Sequence, residues 1–313
     1  MKNSKQKVTV GVPVYNEINF IENTLRSVVG QADEIFISDN ASTDGTSEIC
    51  QKFAESYAEI RYVRHDENKG SAFNFMYVLE NAKNEYFMYL GGHDLLPNNH
   101  IKKLRNILDT EDVVLAYSNA VHLSVEYVLK SYYAYDYAES LLSDSPAERI
   151  LSIIENLIDC TMFMGLHKKY VLIKSMYDAS HAKYHGIDHG ILGEIAYSGK
   201  MKLCNDTVYY RISPSKVEHD AYINWTRVMR SIYTSQYHKD IHIPELIPIG
   251  ICFIHLRTAE KVASHAINKH EYINRVKEVL SRRWGYNDLV NVYLERNFHI
   301  RNIRKAKSSR AHQ

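Results

Sequence analysis

Residues 60–96 read IRYVRHDENKGSAFNFMYVLENAKNEYFMYLGGHDLL. The run at 60–64 predicts a strand, and 71–82 carries Phe73, Met76 and Leu79 near one face, which predicts a helix. EYFMYL at 85–90 predicts a second buried strand. Gly91 and Gly92 then stop it, with His93 and Asp94 standing where it ends. Strand, helix and strand over this length predict parallel strands joined by a right-handed crossover.

The same alternation precedes this unit. VTVGV (8–12) and EIFIS (34–38) read as buried strands. FIENTLRSVV (20–29) has helical spacing at Phe20, Ile21, Leu25 and Val28, and TSEICQKFAESY (46–57) follows Asp44 as an N-cap. The fold class is therefore α/β, a mostly parallel sheet flanked by helices. All strand C-termini fall on one edge, where such sheets bind ligands. That edge collects PVYNE, SDNAS, HDENKG and GGHD.

Further along, DVVLAYS (112–118) and AVHLSVEYVL (120–129) read as strands of a hairpin. SPAERILSIIENL (145–157) opens with Ser145 as N-cap, Pro146 at the first helical position and Glu148 as the capping-box acid. IDHGILGEIAYSG (187–199) reads as a helix and TVYYRIS (207–213) as a strand. From about residue 220 the pattern is helical, broken at Pro244 and Pro248, and it ends in a basic tail. The expected organisation is a ligand-binding half over 1–97, a second half of the same domain over 98–219, and a helical region over 220–313.

Bulk properties narrow the function classes. The 313 residues suffice for one large core or two fused ones. Lys+Arg (38) balance Asp+Glu (37), so overall charge gives no reason to expect a nucleic-acid partner. Cys50, Cys160, Cys204 and Cys252 are far apart, which argues against a CxxC metal site or a disulfide scaffold and for a reducing, cytoplasmic setting. The start MKNSKQKVTVGV lacks a signal-peptide apolar run, and IPIGICFIHL from Ile247 is too short to span a bilayer.

Each loop at the sheet edge has a chemical reading and a structural one. Tyr15, in Pro13-Val14-Tyr15-Asn16-Glu17, can lie beneath a base or be an incidental aromatic at a helix start. Asp39 can accept from an imide N–H or a ribose hydroxyl, whereas Asp44-Gly45-Thr46 reads as a turn and cap. Lys69 precedes a helix N-terminus, which favours phosphate, although exposed loop lysines are common. Asp94 suits a divalent cation held with substrate phosphates, and His93 is either a second ligand or a turn residue.

Taken together, VGVPVYNE, ISDNASTDGT and ENKGSAFNFMYVLENAKNEYFMYLGGHDLL resemble the successive motifs of family 2 glycosyltransferases with the GT-A fold. The resemblance covers roughly the first hundred residues and is nearest to the branch that builds bacterial surface polysaccharides. It implies a nucleotide-sugar donor whose base is held by Tyr15 and Asp39, with Pro13, Glu17, Lys69, Gly92 and His93 around the nucleotide. It implies a divalent metal, Mn2+ or Mg2+, on Asp94, with uridine as the default base. One departure stands out: where the family has D-x-D, this chain has Gly92-His93-Asp94.

The resemblance also implies an inverting transfer with a carboxylate base at the start of a later helix. Asp188 in YHGIDHGIL is the matching residue, and N-capping is its structural alternative. His185 and His189 would line the acceptor pocket, and Arg211 or Lys216 would close over the donor. A zinc site from His181, His185 and His189 is opposed by Gly186, which interrupts their helix. The expected acceptor is a glycan or lipid-linked glycan of the bacterial surface: lipooligosaccharide, O-antigen or capsule. Trp225, Arg227, Arg230, Trp284 and Arg304 offer peripheral contact with the inner membrane. The rival readings are a nucleotidyltransferase, which would need a glycine-rich basic loop after the first strand, and a non-catalytic nucleotide-sugar-binding scaffold.

Overall fold

The computed structural model describes residues 6–180, 187–213, 255, 258–259, 261–263 and 268–284. Strands β1 (Val8–Val14), β2 (Glu34–Asp39), β3 (Ile60–Arg64) and β4 (Tyr86–Tyr89) alternate with helices α1 (Ile21–Val28), α2 (Thr46–Ser56) and α3 (Ser71–Glu80). β1 pairs in parallel with both β2 and β4, and β2 pairs in parallel with β3. The C-termini of these strands therefore share one edge, as the sequence predicts.

The rest of the chain widens the sheet. Helix α4 (His100–Thr110) leads to β5 (Leu115–Leu123) and β6 (Leu129–Tyr133). Then come α5 (Pro146–Asn156), β7 (Leu166–Lys168), α6 (Lys169–Ser180), α7 (Ile187–Ser198), β8 (Met201–Ile212) and α8 (Lys269–Trp284). The strand order is β3-β2-β1-β4-β7-β5-β6, and β8 pairs in parallel with β5 off this path. β7 runs antiparallel to β4 and β5, so the sheet is parallel in its first half and mixed beyond it.

Several expectations are refined here. Helix α4 was not anticipated, although Ile101, Leu104 and Leu108 form its buried stripe. The strands expected at 112–118 and 120–129 are one continuous β5 followed by β6. The strand expected at 207–213 begins at Met201. The N-cap of α2 is Gly45, with φ 101°, and not the expected Asp44, whose Oδ1 accepts from the Thr46 N–H at 3.0 Å from one residue earlier. Ser145 accepts from the Glu148 N–H as expected, while the Glu148 carboxylate bonds Ser143 instead of closing the box.

Alternation along the strands divides the core between the two faces of the sheet. Val8, Val10, Val12, Ile35, Ile37 and Met88 pack with Leu25, Phe53 and Leu104 of α1, α2 and α4. Phe36, Phe87, Tyr89 and Leu115 pack with Val78 of α3 and with Ile150, Leu172, Leu192 and Val276 of α5 to α8. Gly11 faces this second layer because the Phe87 ring lies over it. A Cβ at Gly11 would stand 2.5 Å from Phe87 Cζ and 3.0 Å from Val78 Cγ2. Gly11→Ala is expected to destabilise the fold by about 1–3 kcal/mol through overpacking, measured by urea unfolding.

A buried carboxylate fixes the second half. Asp159 Oδ1 accepts from the Thr161 N–H at 2.8 Å and the Tyr135 hydroxyl at 3.2 Å. Its Oδ2 faces His122 Nε2 at 3.2 Å and Arg211 Nη1 at 3.7 Å. Burial pushes this carboxyl up, but the hydrogen bonds from His122 and Thr161 outweigh it and hold the pKa at about 2. Because the folded value is depressed, the stabilisation is present above the ordinary value of 3.8 and is lost as pH falls toward 2. The depression corresponds to about 2 kcal/mol. Asp159→Asn should lower the unfolding free energy by about that amount at neutral pH. The gap between variant and wild type should narrow below about pH 4, as urea titrations at several pH values would show.

Candidate active site

Four loops meet at the C-terminal edge of β1 to β4, and side chains knit them together. Asn74 of α3 is buried there. It accepts from the Ser38 hydroxyl at 2.6 Å and donates to the carbonyls of Val14 and Ser38 at 3.2 and 3.0 Å. Ser38 also meets His65 Nε2 at 2.9 Å. One amide thus ties the ends of β1 and β2 to α3. Asn40 Oδ1 accepts from the Lys69 N–H at 2.9 Å, which joins the β2 loop to the start of α3.

Pro13 is in β1, opposite Ser38 in the register. Tyr15, just past β1, is 45% exposed, so its ring is available as a platform. Asn16 beside it has φ 57° and is braced by the Ser42 hydroxyl, which accepts its N–H. Asp39 is fully buried. Oδ1 accepts from the Ser42 N–H at 2.8 Å, and Oδ2 accepts from the Tyr62 hydroxyl at 2.8 Å and the Ser47 hydroxyl at 2.5 Å. In this conformation its carboxylate holds the loop after β2, which Ser42 joins to Asn16, and offers no oxygen to solvent. Lys69 Nζ stands 5.1 Å from the Phe73 ring centroid, at the head of α3.

Asp94 is buried at the end of the glycine turn. Oδ2 accepts from the Tyr209 hydroxyl at 2.8 Å, and Oδ1 accepts from the Ile212 N–H at 2.9 Å. Leu95 and Tyr210 exchange backbone hydrogen bonds alongside. Burial raises the Asp94 pKa, opposed by His93, by the two hydrogen bonds and by Arg211. Cation chemistry at this position therefore has a physical motive, since a positive charge would favour the ionised carboxylate.

His93 is partly exposed and adjoins Asp94. Its Nδ1 lies 2.9 Å from Glu17 Oε1, and its Nε2 lies 3.9 Å from Asp94 Oδ1. Phe20 meets the imidazole edge-on at a centroid distance of 6.3 Å. The Gly92 carbonyl accepts from the Thr24 hydroxyl at 3.0 Å, so α1 fixes the turn.

The second-half residues gather around Cys160. Asp188 lies in the first turn of α7, and its Oδ1 accepts from the His189 N–H at 3.0 Å. Cys160, Asp188 and His189 bring ligand-capable atoms within 4.8 Å of one another. Burial and then the charge and hydrogen bond of Asp188 push the Cys160 thiol well up, so it is a neutral donor to Asp188. His189 Nδ1 faces His255 Nε2 at 3.3 Å. Arg211 Nη1 lies 3.7 Å from Asp159 Oδ2, and its charge favours the ionised forms of Asp94 and Cys160. His181, His185, Lys216, Trp225, Arg227, Arg230 and Arg304 lie outside the described residues. Among the described residues no helix is long and apolar enough to cross a membrane.

Sequence reasoning passed over Asn74, Tyr209, Asp159 and Cys160. Asn74 carried a signal, being a polar residue four before Val78 on the buried face of α3. Tyr209 gave none, because an aromatic in a strand reads as core.

Comparison with known proteins agrees with this geometry. The chain is 29% identical to the glycosyltransferase GlyA of Streptococcus pneumoniae over 65% of this chain and 29% of that protein. It is 35% identical to TuaG of Bacillus subtilis, a protein named for teichuronic acid biosynthesis, over 33% of this chain and 42% of that one. The match thus spans less than half the length of either relative. The crystal structure of S. aureus TarS 1–349 in complex with UDP-GlcNAc superposes with a TM-score of 0.53 at 14% identity. That likeness covers 89% of this chain and 92% of that one, and the shared architecture is the GT-A fold. Residues 9–172 match the model of glycosyl transferase family 2, more than half of the 313 residues. With the four-loop edge and mixed sheet already described, the chain belongs to glycosyl transferase family 2.

Proposed function

We propose that this protein is an inverting glycosyltransferase that moves a sugar from a nucleotide-sugar donor, UDP-linked, to a bacterial surface glycan. The observation that carries the reading is the convergence at one sheet edge. Tyr15, the head of α3 and the Asp94 turn meet there. The UDP-GlcNAc named with TarS and the teichuronic acid named with TuaG support the uridine donor and the surface acceptor.

In this reading Tyr15 is the platform for the base, and Asp39 shapes the pocket by fixing the loop below it. The N-terminus of α3, with Lys69, faces the diphosphate. The donor set at the turn fits a divalent cation. Asp94 would supply its carboxylate there, beside the partly exposed His93. Such a cation, when bound, neutralises charge on the departing diphosphate.

Asp188 accepts the proton of the acceptor hydroxyl as that oxygen attacks the anomeric carbon. The new C–O bond forms as the bond to the diphosphate breaks on the opposite face, which inverts the configuration. The Cys160 thiol and the His189 N–H orient the Asp188 carboxylate. Arg211, held near Asp159, is placed to accompany the diphosphate.

Calorimetric titration with a panel of nucleoside diphosphates, with and without Mn2+, tests the donor site. UDP is expected to bind more tightly with Mn2+. Failure of every nucleotide to bind would overturn the donor-site reading, and binding without transfer would favour a non-catalytic scaffold. Asp188→Asn is expected to retain UDP binding while lowering transfer by about 10²–10⁴-fold, read as UDP release from a UDP-sugar with added acceptor glycan. Full transfer in that variant would remove Asp188 from the mechanism.

A further inference from the structure

We propose that His93, positioned by Glu17, takes the place of the motif carboxylate missing from this chain, so that the donor-site cation is held by an imidazole nitrogen beside Asp94. The inference rests on the donor-site reading above and adds to it a nitrogen ligand and the residue that aims it.

Glu17 is fixed at its backbone. Its N–H donates to Thr46 Oγ1 at 2.8 Å, and its carbonyl accepts from the N–H groups of Phe20 and Ile21 at 2.9 Å each. From there its side chain passes over Gly92. A Cβ at Gly92 would stand 2.9 Å from Glu17 Cγ and 3.1 Å from Val14 Cγ1. A side chain at 92 and Glu17 in this path therefore compete for one space. The glycine that looks like a lost carboxylate is the room through which another carboxylate arrives.

That carboxylate ends on His93. With Glu17 Oε1 at 2.9 Å, Nδ1 carries the ring proton and donates it, which leaves the lone pair on Nε2. Nε2 is the nitrogen on the Asp94 side, 3.9 Å from Oδ1. A carboxylate that fixes the tautomer and plane of an imidazole is the usual support of a metal-bound histidine. The Phe20 ring against the imidazole limits its rotation further. Imidazole in place of carboxylate moves preference away from Mg2+ and toward Mn2+. The competing arrangement, an imidazolium merely bridging Glu17 and Asp94, makes no nitrogen–metal bond.

The test is electron-spin-echo spectroscopy of Mn2+ bound to the full chain with UDP. A directly coordinated 14N is expected in the wild type and should be lost in both His93→Ala and His93→Asp. His93→Asp should still bind Mn2+ with UDP and should gain affinity for Mg2+ relative to Mn2+. Glu17→Ala should weaken Mn2+ binding about 10-fold or more, and Glu17→Gln, whose amide oxygen still accepts, should recover part of the loss. Mn2+–UDP held through oxygen alone in the wild type, or a nitrogen signal that survives His93→Ala, overturns this inference and leaves the donor site standing. Absence of any UDP binding overturns both.

Discussion

The site is assembled around the buried carboxylate of Asp94. It receives a hydroxyl and a backbone N–H from β8, a strand more than a hundred residues later in the chain. Burying a carboxylate without partners costs several kcal/mol, so these two donors are a condition for Asp94 sitting where it does. The consequence is topological. The glycine turn after β4 can take its shape only when β8 has been laid beside β5, and Leu95 bridges to Tyr210 at that junction. The first half of the sheet and the half that carries Arg211 and Asp188 are therefore coupled at Asp94.

This coupling explains the mixed sheet. A purely parallel continuation would need a crossover for each added strand. Instead, β7 runs antiparallel to β4 for three residues, and β5 then runs antiparallel to β7. Two reversals restore the original direction, so β5 and β8 point their C-terminal ends toward the edge already formed by β1 to β4. Arg211 and Ile212, at the end of β8, reach Asp159 and Asp94 for that reason.

What could be read beforehand follows from the same physics. β1, β2 and β4 are buried on both faces and appear as short apolar runs, while β3 at the sheet edge is only partly buried; amphipathic helices separate them, and their edge loops follow directly. The sequence predicts a shorter β8 because Lys202, Asn205 and Asp206 break its apolar pattern, although Met201 and Cys204 are buried. β5 was divided at Asn119, a polar residue that is buried because its Oδ1 accepts from the Tyr135 N–H. β7 is too short for any periodicity to declare it. Of the candidate site, Tyr15, Lys69, His93 and Asp94 are legible by residue type at strand and helix ends, and Asp188 through the family resemblance. The partners that hold them are not: a tyrosine donating from a distant strand, or a thiol resting on a carboxylate, leaves no spacing in the chain.

Gly92 shows how a motif read as a string differs from a motif read as a volume. Compared letter by letter, the turn has lost a carboxylate. Compared in space, the region of that side chain is crossed by Glu17, which comes from the loop after β1 and ends on His93. The turn holds a carboxylate after all, delivered from a different loop, with an imidazole between it and Asp94. Because Glu17, Gly92 and His93 depend on one another in this way, reinstating an acid at 92 alone would remove the room for Glu17 and release the imidazole. A substitution there has to be judged together with 17 and 93, since the three positions behave as one unit.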